Sequence, residues 1–193
     1  SALKNILAKA SVGENFPKDF AIYDLPTFIG FHSTMNDPDF DFGDECMTLS
    51  DDKGRGKYFY AEESVVVTPP DKEIEMPETD INFELKTDVL EDIMKKSNIL
   101  KVVDVCLKSC PKSNGLYLYV TNKNNDSSND YSVKVGESTG KKFNIVFKRE
   151  NLKIIPGDYL VTVANGISHF TNTSPDYKLE YWIALEASSN YGE

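Results

Sequence analysis

The first residues in this 193-residue chain that could bind a metal ion are acidic residues at alternate positions. Asp37, Asp39 and Asp41 have the spacing with which a calcium loop presents carboxylate ligands to the ion. An EF-hand loop also needs glycine at its sixth position and glutamate at its twelfth, where this chain has Phe42 and Thr48. Because the EF-hand pattern is not met, the sequence predicts a solvated acidic loop and no metal site here.

The histidines and cysteines do not form a recognisable site either. His32 falls in a predicted helix, His169 falls in a predicted strand, and the two share no motif. Cys106 and Cys110 lack the close cysteine pairs of a zinc site. Together with Cys46 they indicate free thiols in a reducing compartment rather than a disulfide framework. Because no nucleophile, phosphate-loop or zinc-protease motif is present, the sequence predicts no catalytic residue, no metal and no cofactor.

The composition allows a folded chain but gives an ambiguous signal about partners. Hydrophobic residues make up 40% of the chain and aromatic residues 11%, which argues against global disorder. No run of 18 apolar residues exists, so no membrane-spanning helix is predicted. A net charge of −10 argues by itself against nucleic acid, because phosphate contacts need Lys and Arg. The distribution of the basic residues therefore matters more than their number.

Strands dominate the predicted secondary structure. Pro26 suits the first turn of a helix that ends near Asn36. Asp88, with Glu91 three residues later, has the pattern of a capping box at the start of a second helix, 88–100. A third helix is predicted at 149–155, an extended connector at 65–80, and strands at 5–12, 19–24, 46–50, 57–63, 81–86, 101–108, 115–121, 131–137, 143–148, 158–164, 167–172 and 178–186.

Two of these segments leave alternatives open. Residues 5–12 alternate in polarity as a strand does, but apolar residues at positions 3, 6, 7 and 10 also have helical spacing. On the second helix, Lys95 projects almost opposite to the apolar face, and Lys96 lies on its flank. The simplest interpretation is a solvated face on which Glu91 and Lys95 form an ion pair.

Three stretches carry a resemblance to a known family. They are FPKDFAIYDLPTFIG (16–30), KKFNIVFKRENLKIIPGDYLVTVANG (141–166) and KLEYWIALEAS (178–188), and their most specific pieces are AIYDL, IIPGDY and YWIALEA. In these stretches, and in register from about Ile6 to Ala187, the chain resembles the sliding clamps of T-even-type bacteriophages. The resemblance implies a strand rather than a helix at 5–12.

The resemblance implies an α+β fold of two clamp domains, with antiparallel sheets outside and short helices on the inner face. The implied parts are an N-terminal clamp domain at 1–64, an interdomain connector at 65–80 and a C-terminal clamp domain at 81–193. In the phage clamps the first domain opens with a helix and two strands that have no counterpart in this chain. The sequence is therefore expected to be truncated at its N-terminus.

The function that the resemblance implies needs no active site, so the protein is expected not to be an enzyme. It is expected to form a homotrimeric ring that encircles double-stranded DNA non-specifically and tethers the replicative polymerase for processive synthesis. The implied partners are the DNA, a C-terminal peptide of the polymerase, a clamp loader and further copies of the chain, in the cytoplasm of an infected bacterium and without a membrane. The alternative is a monomeric β-rich phage structural or assembly protein, which basic residues scattered over opposite faces would favour.

Two sets of site residues follow from the resemblance. The candidate DNA-facing residues are basic and lie on or beside the helices of the second domain: Lys95, Lys96, Lys148, Arg149 and Lys153. The candidate pocket for the partner peptide combines apolar connector residues with the last strand: Val67, Ile74, Met76, Trp182 and Ala184. A lone Trp182 in a strand is equally compatible with ordinary core packing. The strand near 57–62 of one subunit is expected to pair with the strand near 131–137 of the next.

Overall fold

The computed structural model describes residues 3–69, 72–110, 114–138 and 140–191, without the side chain of Cys110. The chain divides into two compact units. The smaller unit is Gly13–Lys72, and the larger consists of Leu3–Val12 and the chain from Glu73 onward. The domain boundaries inferred from the sequence stay a prediction: 1–64, 65–80 and 81–193.

The described residues are rich in strands, and most of the predicted strands are present. In chain order they form β1 (Ile6–Ser11), α1 (Leu25–Ser33), β2 (Asp39–Phe42), β3 (Cys46–Ser50), β4 (Arg55–Phe59), a first 3-10 helix (Glu63–Val65), β5 (Ile81–Leu85), α2 (Thr87–Leu100), β6 (Asp104–Cys110), β7 (Gly115–Thr121), β8 (Tyr131–Gly136), β9 (Phe143–Lys148), a second 3-10 helix (Arg149–Leu152), β10 (Tyr159–Ala164), β11 (Ile167–Asn172) and β12 (Lys178–Ala184).

Two predictions for the first sixty residues were wrong. The strand predicted at 19–24 is reduced to a single bridge between Ala21 and Ala61, because the chain turns into α1 directly after it. The predicted acidic loop is strand β2, in which aspartates alternate with Phe40 and Phe42 and pair with β3. The phenylalanines supply the apolar face that a strand needs, and the aspartates occupy the opposite face.

Two predictions about helix ends were also wrong. The third helix is only the 3-10 turn Arg149–Leu152, because Pro156 disfavours helical backbone at the residue before it. At α2 the predicted capping box is absent. Thr87, the first helical residue, donates its backbone N–H to Asp158 Oδ1 at 2.8 Å and its hydroxyl to the same oxygen at 3.0 Å. The helix cap is therefore supplied by a residue 71 positions later in the chain.

Asp158→Ala is expected to lower the Tm by about 2–4 °C at neutral pH, because α2 loses its cap. The Thr87 N–H, followed by Lys86, holds the pKa of Asp158 below its ordinary value of 3.8. Since the folded-state pKa is the lower one, this stabilisation is complete above the unfolded-state pKa and is lost as the pH falls through the folded-state pKa. Thermal melts at pH 7 and below pH 3 check this. A difference between variant and wild type that persists unchanged in acid would contradict it.

The larger unit contains two antiparallel sheets and α2 around one hydrophobic core. The first sheet has the strand order β1-β12-β11-β10-β5, so residues 3–12, predicted as part of the first domain, join the last strand of the chain. The second sheet has the order β8-β7-β6-β9. Leu90 and Ile93 of α2 enter the core between them, where the Phe147 and Tyr159 rings both pack edge-on against Phe170 at 6.2 Å. The apolar spacing of α2 thus decides which of its faces remains exposed.

The smaller unit packs α1 against a sheet of strand order β2-β3-β4. Asp24 caps α1 by accepting the Thr27 N–H at 2.9 Å. Aromatic contacts join helix and sheet: the Phe28 ring lies 5.1 Å from that of Tyr58. Phe31 occupies the space beside Gly56, where a Cβ atom would lie 2.3 Å from the ring. The sheet therefore needs glycine at that position.

Candidate functional site

The exposed face of α2 carries the first of the predicted DNA-facing residues. Lys95 is exposed and points away from the buried Leu90 and Ile93, as its position on the helix predicts. The ion pair predicted between Glu91 and Lys95 was wrong, because the i,i+4 ion pair that the described part of α2 makes is Asp92–Lys96. Lys95 consequently presents its ammonium group to solvent.

Lys96 is held within the subunit. Its Nζ atom contacts the Asp92 carboxylate and lies 4.1 Å from the centre of the Tyr131 ring on β8. The Tyr131 hydroxyl in turn donates to Asp92 Oδ2 at 2.9 Å. Hydrogen bonds from Lys96 and then Tyr131 lower the pKa of Asp92, and the Asp92 contact raises the pKa of Lys96. The cation and the carboxylate therefore compensate each other at this point.

The other three basic residues lie at the end of β9 and in the turn after it. The Nη1 atom of Arg149 donates to Asn98 Oδ1 on α2 at 2.9 Å, so the structure brings Arg149 to the exposed face of that helix. Lys148 Nζ lies 3.6 Å from Glu186 Oε1, in a partly exposed ion pair. Lys153 is exposed at the end of the second 3-10 helix.

Trp182 and Ala184 lie on the face of the first sheet that is turned away from the core. Tyr181 and Ile183, their neighbours in β12, are buried in that core, and successive strand side chains point to opposite faces. The His169 ring stacks on Trp182 at 4.5 Å with an interplanar angle of 11°, and β11 and β12 pair these residues directly. This arrangement excludes the interpretation of Trp182 as a core residue.

Polar groups complete this aromatic pair. His169 Nε2 lies 3.0 Å from Glu180 Oε1, one position along the same face of β12. Within the described residues, the Trp182 Nε1 atom is buried and has no hydrogen-bond partner. Local sequence pattern predicts no role for His169, because its contact with Trp182 depends on the pairing of β11 with β12.

The segment 73–80 crosses this face of the sheet. At one end Lys9 Nζ of β1 lies 3.0 Å from Glu73 Oε1, and at the other the Thr79 hydroxyl donates to Val163 O of β10 at 2.6 Å. Because β12 and β11 lie between β1 and β10, the residues between these two anchors pass over the strands that carry Trp182 and His169.

Four of the five predicted pocket residues therefore belong to one part of the larger unit. Ile74 and Met76 are half-buried in the crossing segment, between its anchors at Glu73 and Thr79. Val67 belongs to the smaller unit and is 54% exposed. In the described part of the chain, no group of three or more His, Cys, Asp or Glu side chains is placed to hold a metal ion. No helix in that part is long and apolar enough to cross a membrane.

Comparison with known proteins agrees with this architecture. A family model described as "gp45 sliding clamp, C terminal" matches residues 82–187. The chain is 32% identical over 190 residues to the sliding clamp of Vibrio phage KVP40, covering 96% of this chain and 84% of the relative. It is 27% identical over 190 residues to the sliding clamp of Enterobacteria phage T4, with 95% and 82% covered.

A solved structure shows the same fold at low sequence identity. The A. fulgidus PCNA bound to the C-terminal region of FEN-1 superposes with a TM-score of 0.60 at 11% identity, over 86% of this chain and 72% of that one. The α+β clamp fold expected from the sequence is confirmed by this likeness. Since the family model covers more than half of the chain and the Vibrio phage relative exceeds 30% identity over nearly all of it, this protein belongs to the family of phage sliding clamps.

Proposed function

We propose that three copies of this DNA sliding clamp close a ring around duplex DNA and tether the replicative polymerase of the phage in an infected bacterium. The observation that carries the proposal is membership of the sliding-clamp family over almost the whole chain. The clamp acts by topology rather than by catalysis, so it needs no reacting residues. A closed ring cannot leave the duplex sideways, and a polymerase bound to it stays at a high effective concentration near the primer end.

Contact with DNA is assigned to the cations on and beside α2. Lys95 and Lys153 are exposed, and Arg149 is half-buried and donates to Asn98. Lys148 shares its charge with Glu186. Lys96 belongs to the same predicted set, but its pairing with Asp92 leaves less charge for a phosphate. Contacts of this kind are non-specific and sensitive to salt, as sliding requires.

The partner peptide is assigned to the outer face of the first sheet. Ile74 and Met76 of the crossing segment would form one wall, and Trp182 and Ala184 the floor. Val67, which also belongs to the predicted set, lies in the smaller unit. In the A. fulgidus PCNA structure, the bound chain is the C-terminal region of FEN-1. A short peptide from the polymerase's own C-terminus could bury a few apolar side chains in the same way, and the small interface would keep its affinity modest.

The subunit contact is assigned to two sheet edges. In the described residues β4 pairs only with β3, and β8 pairs only with β7, so each strand has one side free. Free edges of this kind favour pairing with another chain. Pairing of β4 with β8 of the next copy gives a head-to-tail contact that closes after three copies. A clamp loader would open one such contact.

The expected mass in solution is about 65 kDa, three times the 21.7 kDa of one chain. Light scattering coupled to size-exclusion chromatography over a range of protein concentrations measures it. A mass of one subunit at every concentration would contradict the ring. It would favour the alternative, a monomeric β-rich phage structural protein.

Primer extension on a long single-stranded template tests the function itself. With the phage polymerase, the clamp loader and an excess of unlabelled competitor template, this protein should lengthen the product of a single binding event many-fold. Heat-denatured protein serves as the control. Product lengths that are the same with and without the native clamp would overturn the proposal.

A further inference from the structure

Trp182 is the single tryptophan of the chain, and two strands flank it on the outer face of the first sheet. It pairs with His169 of β11 on one side and with Leu7 of β1 on the other. Directly paired residues of antiparallel strands point to the same face of a sheet. Leu7, Trp182 and His169 therefore form one row across three strands, and Thr162 of β10 extends the row beyond His169.

The two rings in this row stack face to face. Their centres are 4.5 Å apart and their planes differ by 11°. Neighbouring strands of a sheet lie about 4.8 Å apart, so the rings meet at nearly the spacing of the strands that carry them. The indole of Trp182 cannot turn about its side-chain bonds without giving up this contact.

No hydrogen bond fixes the indole instead. Trp182 Nε1 is buried and has no hydrogen-bond partner among the described residues, although a buried tryptophan usually finds one. Packing against apolar neighbours has little directional preference. In the described part of the chain, the stack with His169 is thus the directional interaction that orients the Trp182 ring.

The imidazole of His169 is itself held in place. Its Nε2 atom lies 3.0 Å from Glu180 Oε1, and the side chain of His169 is 20% exposed. Because the Glu180 carboxylate accepts this hydrogen bond, Nε2 carries the hydrogen. Hydrogen bonds to an ionised group are stronger than those between neutral groups. Glu180 therefore fixes the imidazole, and the imidazole fixes the indole.

Sheet stability alone would explain an aromatic pair between neighbouring strands, since such pairs stabilise sheets wherever they occur. The place of this pair indicates a further role. The segment 73–80 crosses the strands that carry it, and Ile74 and Met76 of that segment are only half-buried. Apolar surface beside the two rings thus remains available to a partner.

We infer that His169 is a positioning residue of the peptide site, which holds the Trp182 ring in the orientation that the partner peptide packs against. The inference rests on the proposed function and deepens it by adding His169, and Glu180 as the anchor of His169, to that site. Neither residue has to touch the peptide. A ring that is already ordered loses little side-chain freedom when the peptide binds, which favours affinity.

Intrinsic fluorescence tests the orientation of the ring directly, because Trp182 is the single tryptophan and its emission reports on this site alone. His169→Ala uncovers one face of the indole, so the emission should shift to longer wavelength. His169→Phe keeps a stacked ring without the hydrogen bond to Glu180 and should restore the wild-type emission. Thr171→Ala is the matched control, because it shortens another side chain on the same face of β11 and should leave the emission unchanged.

Titration of a synthetic C-terminal peptide of the phage polymerase into the same proteins tests the consequence for binding. The Kd should rise about three- to tenfold in His169→Ala, as the loss of one aromatic pair predicts. It should stay within about twofold of wild type in His169→Phe and in Thr171→Ala. Thermal melts establish that each variant is folded at the temperature of the titration.

A purely structural role would lower the Tm of His169→Ala and leave both the emission and the Kd of the folded protein unchanged. That result would overturn the inference and leave the peptide site standing. A failure of His169→Phe to restore the emission and the Kd would also overturn it, because the stacked ring would then not be what acts. If the wild type does not bind the peptide, the peptide site of the proposed function fails, and the role of His169 fails with it.

Discussion

Replacing Ile145 by alanine should lower the free energy of unfolding by about 2–5 kcal/mol. Ile145 is 0% exposed, in the middle of β9, directly opposite Leu107 of β6. The shorter side chain leaves a cavity where the two sheets and α2 meet, and the loss combines the lost burial with the cost of that cavity. Urea denaturation followed by circular dichroism measures the change.

Ile155→Ala is the matched control for this substitution. Ile155 is 54% exposed, so the same chemical change should alter the free energy of unfolding by no more than about 0.5 kcal/mol. Two variants with equal stability would show that β9 is not part of the core.

Met76→Asp should weaken binding of a C-terminal peptide of the phage polymerase by tenfold or more. Met76 is half-buried in the segment that crosses Trp182, where it would contact apolar side chains of the peptide. Losing one such contact costs about 1.5–3 kcal/mol, and about 1.4 kcal/mol corresponds to a factor of ten in Kd. A carboxylate at this position would also have to be desolvated, which adds to the loss. Isothermal titration of the synthetic peptide into each protein measures it.

Ile99→Asp provides the comparison. It introduces the same charge at an exposed apolar residue of α2, 68% exposed, and should leave the Kd within twofold of wild type. If Met76→Asp and Ile99→Asp bind the peptide equally well, the peptide site lies elsewhere. A wild type that does not bind the peptide would reject the pocket altogether.

Local pattern was sufficient where a segment's own side chains decide its structure. The spacing of Leu90 and Ile93 predicted α2, and the same spacing predicted that Lys95 would be exposed. Alternation along 178–186 predicted β12 and placed Trp182 and Ala184 on one face. These predictions succeed because helix and strand periodicities depend on neighbours within a few residues.

Local pattern failed where polar side chains depend on distant partners. Asp158 caps α2 from 71 positions away, and no pattern near Thr87 indicates it. The ion pair predicted between Glu91 and Lys95 does not form. Lys96 pairs with Asp92 instead, and Tyr131 of β8 contacts both of these residues. Such partners are far apart in the sequence, and only the tertiary structure brings them together.

The sequence by itself determined the clamp family, most of the strands, α2 and the exposed position of Lys95. Tertiary structure alone decided that Trp182 faces away from the core, that the segment 73–80 crosses it, and that Arg149 joins the exposed face of α2. The physical reason is that periodicity distinguishes the two faces of an element but does not say which partner covers each of them. That choice is made by the burial of apolar surface over the whole larger unit, in which residues far apart in the chain share one core.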